Sequence, residues 1–156
     1  MQSRLAREGR TFVLAFADGD DFLAELQNFC ANEGIAQGYI PMFLGGFRTV
    51  RLVGACGPLA DPDAPVWEEV ALQHVEALGA GTLARHPDTG GFDPHIHLTV
   101  GLKAEQAIGR TSHLLGAEVQ FIQEMVVVEL LEPELLRPRV GPHQIPTLKL
   151  GGTASR

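Results

Sequence analysis

One segment of this 156-residue chain combines helical periodicity with closing signals at both ends, and everything around it reads as strand or turn. Asp18-Gly19-Asp20-Asp21 supplies capping acids and places negative charge where a helix dipole favours it. Phe22, Leu23, Leu26, Phe29 and Cys30 then recur at helical spacing, and Gly34 suits the left-handed position that ends a helix. The segment before it, Thr11 to Ala17, carries six consecutive apolar residues and predicts a buried strand. A lone amphipathic helix among many strands must bury its apolar stripe on a sheet. The predicted class is therefore α+β: a compact single domain with a mostly antiparallel sheet and one firm helix.

The strands follow in order. Ile35 to Leu44 predicts a second strand ending at Gly45-Gly46, and the alternating run Phe47 to Val53 a third. The glycine pair marks a bulge or a close backbone approach, since no phosphate-loop pattern accompanies it. Gly57 to Pro65 is a Pro/Asp loop, and order resumes from Trp67, with a strand at His74 to Leu78. Gly79 to Ala84 continues that strand across a glycine-softened bend. His86 to Gly91 forms a turn that leads into a histidine-bearing strand. Phe121 to Leu131 is the most β-like run, and Glu129 within it is either edge-facing or aimed at a site. After Pro133 the chain is punctuated by Pro138, Pro142 and Pro146, which predicts an extended arm on the surface or against a neighbouring subunit. Gly151 to Arg156 reads as a loose tail. The division is an N-terminal extension over 1–7, one domain over 8–133, and an arm and tail over 134–156.

The net charge of −7 makes the chain a poor general binder of nucleic acid, because duplex affinity rests on cationic side chains neutralising phosphates. Arg4, Arg7 and Arg10 near one end and Arg137 and Arg139 near the other read as dispersed, solvated charges. Cys30 and Cys56 give no disulfide framework, and Cys30 falls on the apolar side of the helix, so a reducing cytoplasm is expected. No apolar run has the length of a membrane span, and no targeting segment is visible.

The chemistry is carried by histidines. His95 and His97 stand two apart in Asp93-Pro94-His95-Ile96-His97-Leu98-Thr99-Val100, so on a strand both imidazoles leave the same face. His113, arriving from a later turn, would close a three-nitrogen site of the kind zinc and similar divalent metals favour, with one position open. The same residues could instead hydrogen-bond buried carbonyls or meet symmetry mates at a subunit contact. Asp93, Glu76 and Glu118 are the candidate carboxylates for orienting these imidazoles from behind.

Several of these segments, taken in order, resemble the plants-and-prokaryotes conserved (PPC) domain. They are Asp18-Gly19-Asp20-Asp21-Phe22-Leu23, Glu33-Gly34-Ile35, Phe43-Leu44-Gly45-Gly46-Phe47, His74 through Ala84, Pro94-His95-Ile96-His97-Leu98, and Gly109 through Gly116. The resemblance implies a compact subunit assembled as a homotrimer, with His95, His97 and His113 at the family's histidine positions. In plants the domain follows an AT-hook in nuclear-localised proteins; in prokaryotes it stands alone, and members carry a DNA-binding label inherited from the plant relatives. Here Thr111-Ser112 replaces the Gly-Gly that precedes the later histidine in the family, and no Arg-Gly-Arg-Pro hook is present.

Two functions follow as expectations. The first is a PPC-type DNA-binding or regulatory protein, a homotrimeric assembly module with a three-histidine metal site that works through protein contacts more than phosphate contacts. The alternative is a small metal-dependent enzyme or metabolite-binding protein using the same histidines, with Glu76 or Glu118 as base. A cupin also begins with His-x-His, but its motif wants a Glu where this chain has Gly101 and Leu102.

Overall fold

The helix forms where its caps place it. In the computed structural model, which describes residues 1–53 and 68–151, α1 spans Phe22–Glu33. The Asp21 carboxylate accepts a hydrogen bond from the Ala24 N–H at 3.0 Å, and Gly34 closes the far end at φ 67°. Phe22, Leu26 and Cys30 are fully buried. The Phe22 ring lies 5.0–5.1 Å from those of Phe16, Phe43 and Phe47, joining helix to sheet through one aromatic cluster. Cys56, the Gly57–Pro65 loop, Trp67 and the tail from Gly152 onward lie outside the described residues.

Four strands form a closed ring. β2 (Gly38–Val53) pairs with β3 (Glu69–Arg85), β3 with β4 (Phe92–Leu102), β4 with β5 (Ile108–Glu132), and β5 again with β2, every pair antiparallel. The 25-residue β5 closes this barrel-like sheet: its first residues serve β4 and its later ones β2. β1 (Arg7–Ala17) then adds to the outer edge of β5. Inside lie Phe43, Phe47, Val50, Ile96, Leu98, Val100, Val119, Met125 and Val127.

The arm returns to the sheet of its own chain. β6 (Leu135–Leu136) pairs in parallel with β3 at Arg85, and β9 (Lys149–Leu150) pairs with β6. Between them β7 (Arg139–Val140) and β8 (Ile145–Pro146) make a separate small hairpin. Buried Gln37 receives the arm, its carboxamide oxygen accepting the Leu135 N–H at 2.6 Å.

Three expectations are corrected. Thr11–Ala17 is an edge strand, not a buried one. Only Phe16 is buried and Val13 is 82% exposed, because β1 has one face on the core and one in solvent. The predicted second and third strands are one strand, β2. Gly45, at φ 144°, kinks it without ending it, with a register shift beside it against β5. Glu129 is neither free at an edge nor at the histidines: Arg10 holds it through its Nε at 2.9 Å.

Glycines bring β3 and β4 together. A Cβ on Gly79 would run into the Phe43 ring and stand 2.7 Å from the His97 carbonyl oxygen; one on Gly81 would stand 2.7 Å from that of His95. The glycine-softened bend is thus the place where the backbones behind both histidines fit closely.

Gly79→Ala is expected to destabilise the fold by about 1–3 kcal/mol through overpacking, read as a lowered urea midpoint with an unchanged slope. Burial pushes the Cys30 thiol up to about 12, so Cys30 should resist thiol-modifying reagents in the native protein. Peptide mapping should find it labelled only after unfolding.

Candidate metal centre

Strand alternation decides where the histidines point. On β4, Ile96, Leu98 and Val100 are buried, which turns His95 and His97 to the outer face. β5 places His113 directly opposite His97. The third histidine therefore comes from a paired strand and not from a turn, and bulky Thr111-Ser112 is accommodated because ordinary extended ladder leads up to it.

All three imidazoles converge, each offering a ring nitrogen within 4.8 Å of the others. The Nε2 atoms of His95 and His97 are 3.2 Å apart. Two nitrogens on one tetrahedral zinc stand about 3.3 Å apart for Zn–N bonds near 2.0–2.1 Å, so the donor type and this spacing fit a divalent ion. His95 and His113 are half-buried and His97 is exposed. Two residues along the same face of β4 and β5, the Thr99 and Thr111 hydroxyls lie 2.7 Å apart.

Behind the trio stands a residue that sequence reasoning had assigned to solvent. Arg137, in the arm, is only 2% exposed. Its guanidinium donates to His95 Nδ1 at 3.0 Å and to the Thr82 hydroxyl at 2.8 Å. Its Nε has no hydrogen-bond partner, with an Asp93 carboxylate oxygen at 3.7 Å. Nothing local in the sequence marks this contact, which depends on β6 docking beside Arg85.

The candidate carboxylates separate. Asp93 is beside the site, across from Arg137. Glu118 is ion-paired with Arg48, which also holds Asp18 at 2.9 Å. Glu76 lies earlier in β3 than Ala80, the residue opposite His97, and pairs in register with Gly101, away from the trio. Only Asp93 of the three is gathered with the histidines.

The environment disfavours the charged form of His95 and His113. Partial burial, with Arg137 and the other two histidines nearby, pushes His95 down to about 4, and burial also lowers His113. Between pH 6.5 and about 4 the unfolded chain binds a proton at His95 that the folded chain refuses. Stability should therefore fall as pH drops through that window. Thermal melts of metal-free protein across it should show this, with a shallower dependence in His95→Asn.

The sequence profile of the Plants and Prokaryotes Conserved (PCC) domain matches residues 4–131. No curated protein matches the chain. Among solved structures, a plant- and prokaryote-conserved protein from Pyrococcus horikoshii superposes with a TM-score of 0.80 at 22% identity, covering 97% of this chain and 99% of that one. A protein from Archaeoglobus fulgidus described as metal-containing gives 0.78 at 20%, covering 96% and 99%. One from Ralstonia eutropha, provisionally named DNA-binding, gives 0.72 at 20%, covering 89% and 90%. With a matching profile over most of its length and this fold, the chain belongs to the Plants and Prokaryotes Conserved domain family.

Proposed function

We propose that the protein is a PPC-type regulatory module of the cytoplasm that assembles as a homotrimer and binds one divalent ion such as zinc per chain. His95, His97 and His113 are the ligands, and Asp93 is the carboxylate behind them. The convergence of three imidazoles on the open face of paired strands carries this reading. The metal-containing description of the Archaeoglobus relative supports it. Trimerisation rests on the family resemblance, and exposed Val13, Phe121 and Ile122 supply apolar surface for it.

DNA enters through the provisional name of the Ralstonia relative. The acidic chain offers little for phosphates, so regulation proceeds through protein contacts more than through direct duplex binding. No helix among the described residues is long and apolar enough to cross a membrane.

The enzymatic alternative draws on the solvent side of the trio. An ion held there with one position open would supply activation of a water or polarisation of a carbonyl. With Glu118 engaged by Arg48 and Glu76 earlier in β3, in register with Gly101, neither carboxylate supports a role as base.

Elemental analysis of protein purified without chelator or nickel resin should find about one zinc or similar ion per chain, and light scattering on the same sample should give a trimer mass. His97→Ala should lose the metal and keep the fold, because the outward ring takes no part in the core. Unchanged metal content in that variant would sink the ligand assignment.

A further inference from the structure

Arg137 is an unusual neighbour for a metal site. Histidine ligands ordinarily donate their second ring N–H to a carboxylate or carbonyl; here a guanidinium donates towards His95 Nδ1. The side chain is not a surface arginine that has drifted in. Its backbone N–H donates to the Arg85 carbonyl at 2.9 Å, β6 pairs with β3 at its shoulder, and Gln37 fixes Leu135 two residues earlier. Its position is built, and it lies beyond the stretch that the family profile matches.

A buried cation in such a place calls for compensating charge. Among the described residues the one carboxylate ion-paired with it, Asp93, is 35% exposed and 3.7 Å from a guanidinium nitrogen that makes no hydrogen bond. Imidazole ligands bring no negative charge of their own. A divalent ion would add two positive charges to the one on Arg137, against the single negative charge of Asp93. The loaded centre would be strongly positive, and the Thr99 and Thr111 hydroxyls are the next outward-facing pair along β4 and β5.

We propose that Arg137 makes this centre an oxyanion-requiring one: the metal is held tightly only together with a small carboxylate or phosphate at its open position. This rests on the metal reading above and deepens it by naming the ligand class. Arg137 acts through charge, so it should oppose the bare ion and favour the ion–anion pair. A residue that merely oriented His95 would help both.

The test is a Co(II) titration of the full chain in a non-coordinating buffer, followed by the visible absorption of the bound ion, alone and with acetate or with phosphate. The wild type should bind Co(II) roughly tenfold more tightly with one of the two anions, and which one does so separates carboxylate from phosphate. Arg137→Met should bind Co(II) without anion at least as tightly as the wild type and lose the anion effect. Asp93→Asn, which removes a partly exposed charge and leaves the core untouched, should weaken anion-free binding and enlarge the anion effect, so the proposal stays testable if the Arg137 variant fails to fold. An unchanged wild-type affinity in both anions would overturn it. So would an Arg137→Met protein that binds more weakly under every condition yet keeps the anion effect. Absence of any Co(II) binding by the wild type would overturn the metal reading itself, and this proposal with it.

Discussion

The double pairing of β5 is the constraint on which the rest of the structure hangs. One strand of 25 residues gives its early part to β4 and its later part to β2, while its far edge takes β1. Ring closure removes the open edges that a flat four-stranded sheet would expose. It also fixes chemistry: the early part of β5 that completes the ring is the part that sets His113 opposite His97. Core and site are thus two faces of one set of hydrogen bonds. Glycines 79 and 81 of β3 serve the same closure from the other side, fitting closely against the backbone that carries His95 and His97.

Electrostatically the molecule is divided. Most of its charge is acidic and on the surface, where pairs such as Arg7–Glu132 are well exposed and worth little to stability. The one buried guanidinium among the described residues lies beside the histidines. Burial and that positive neighbour act in the same direction on His95, both disfavouring the charged ring; the donation to Nδ1 leaves the neutral ring's proton on Nε2, so an ion taken there would displace it. An acidic protein therefore carries a local centre of opposite character, set on the outside of its barrel.

How much of this was legible in the sequence depends on the range of the interaction concerned. The helix was readable because its signals are local: Asp21 caps it, Gly34 ends it, and Phe22, Leu26 and Cys30 keep its period. The shared face of His95 and His97 was readable for the same reason, since strand alternation needs no distant information. The fusion of two predicted strands into β2 was not, because Gly45-Gly46 looks alike as a stop or as a kink and only pairing with β3 and β5 decides. The exposure of β1 was hidden by its continuous apolar run, which cannot reveal that the strand stands at an edge. Arg137 was the least legible. Its partners are far away in sequence, and an isolated arginine among prolines looks like any solvated charge.

The site's position on the barrel has a consequence for the life of the folded protein. His95 and His97 share a strand with Ile96 and Leu98, yet imidazoles and apolar side chains leave from opposite sides. The apolar interior is complete without any ion, unlike that of a zinc finger, whose fold is bought by its metal. Loading and stripping at this centre would be surface events, reversible on a chain that stays intact. Were the trio to hold an ion as proposed, its occupancy would follow the supply of metal around the protein, with folding already finished.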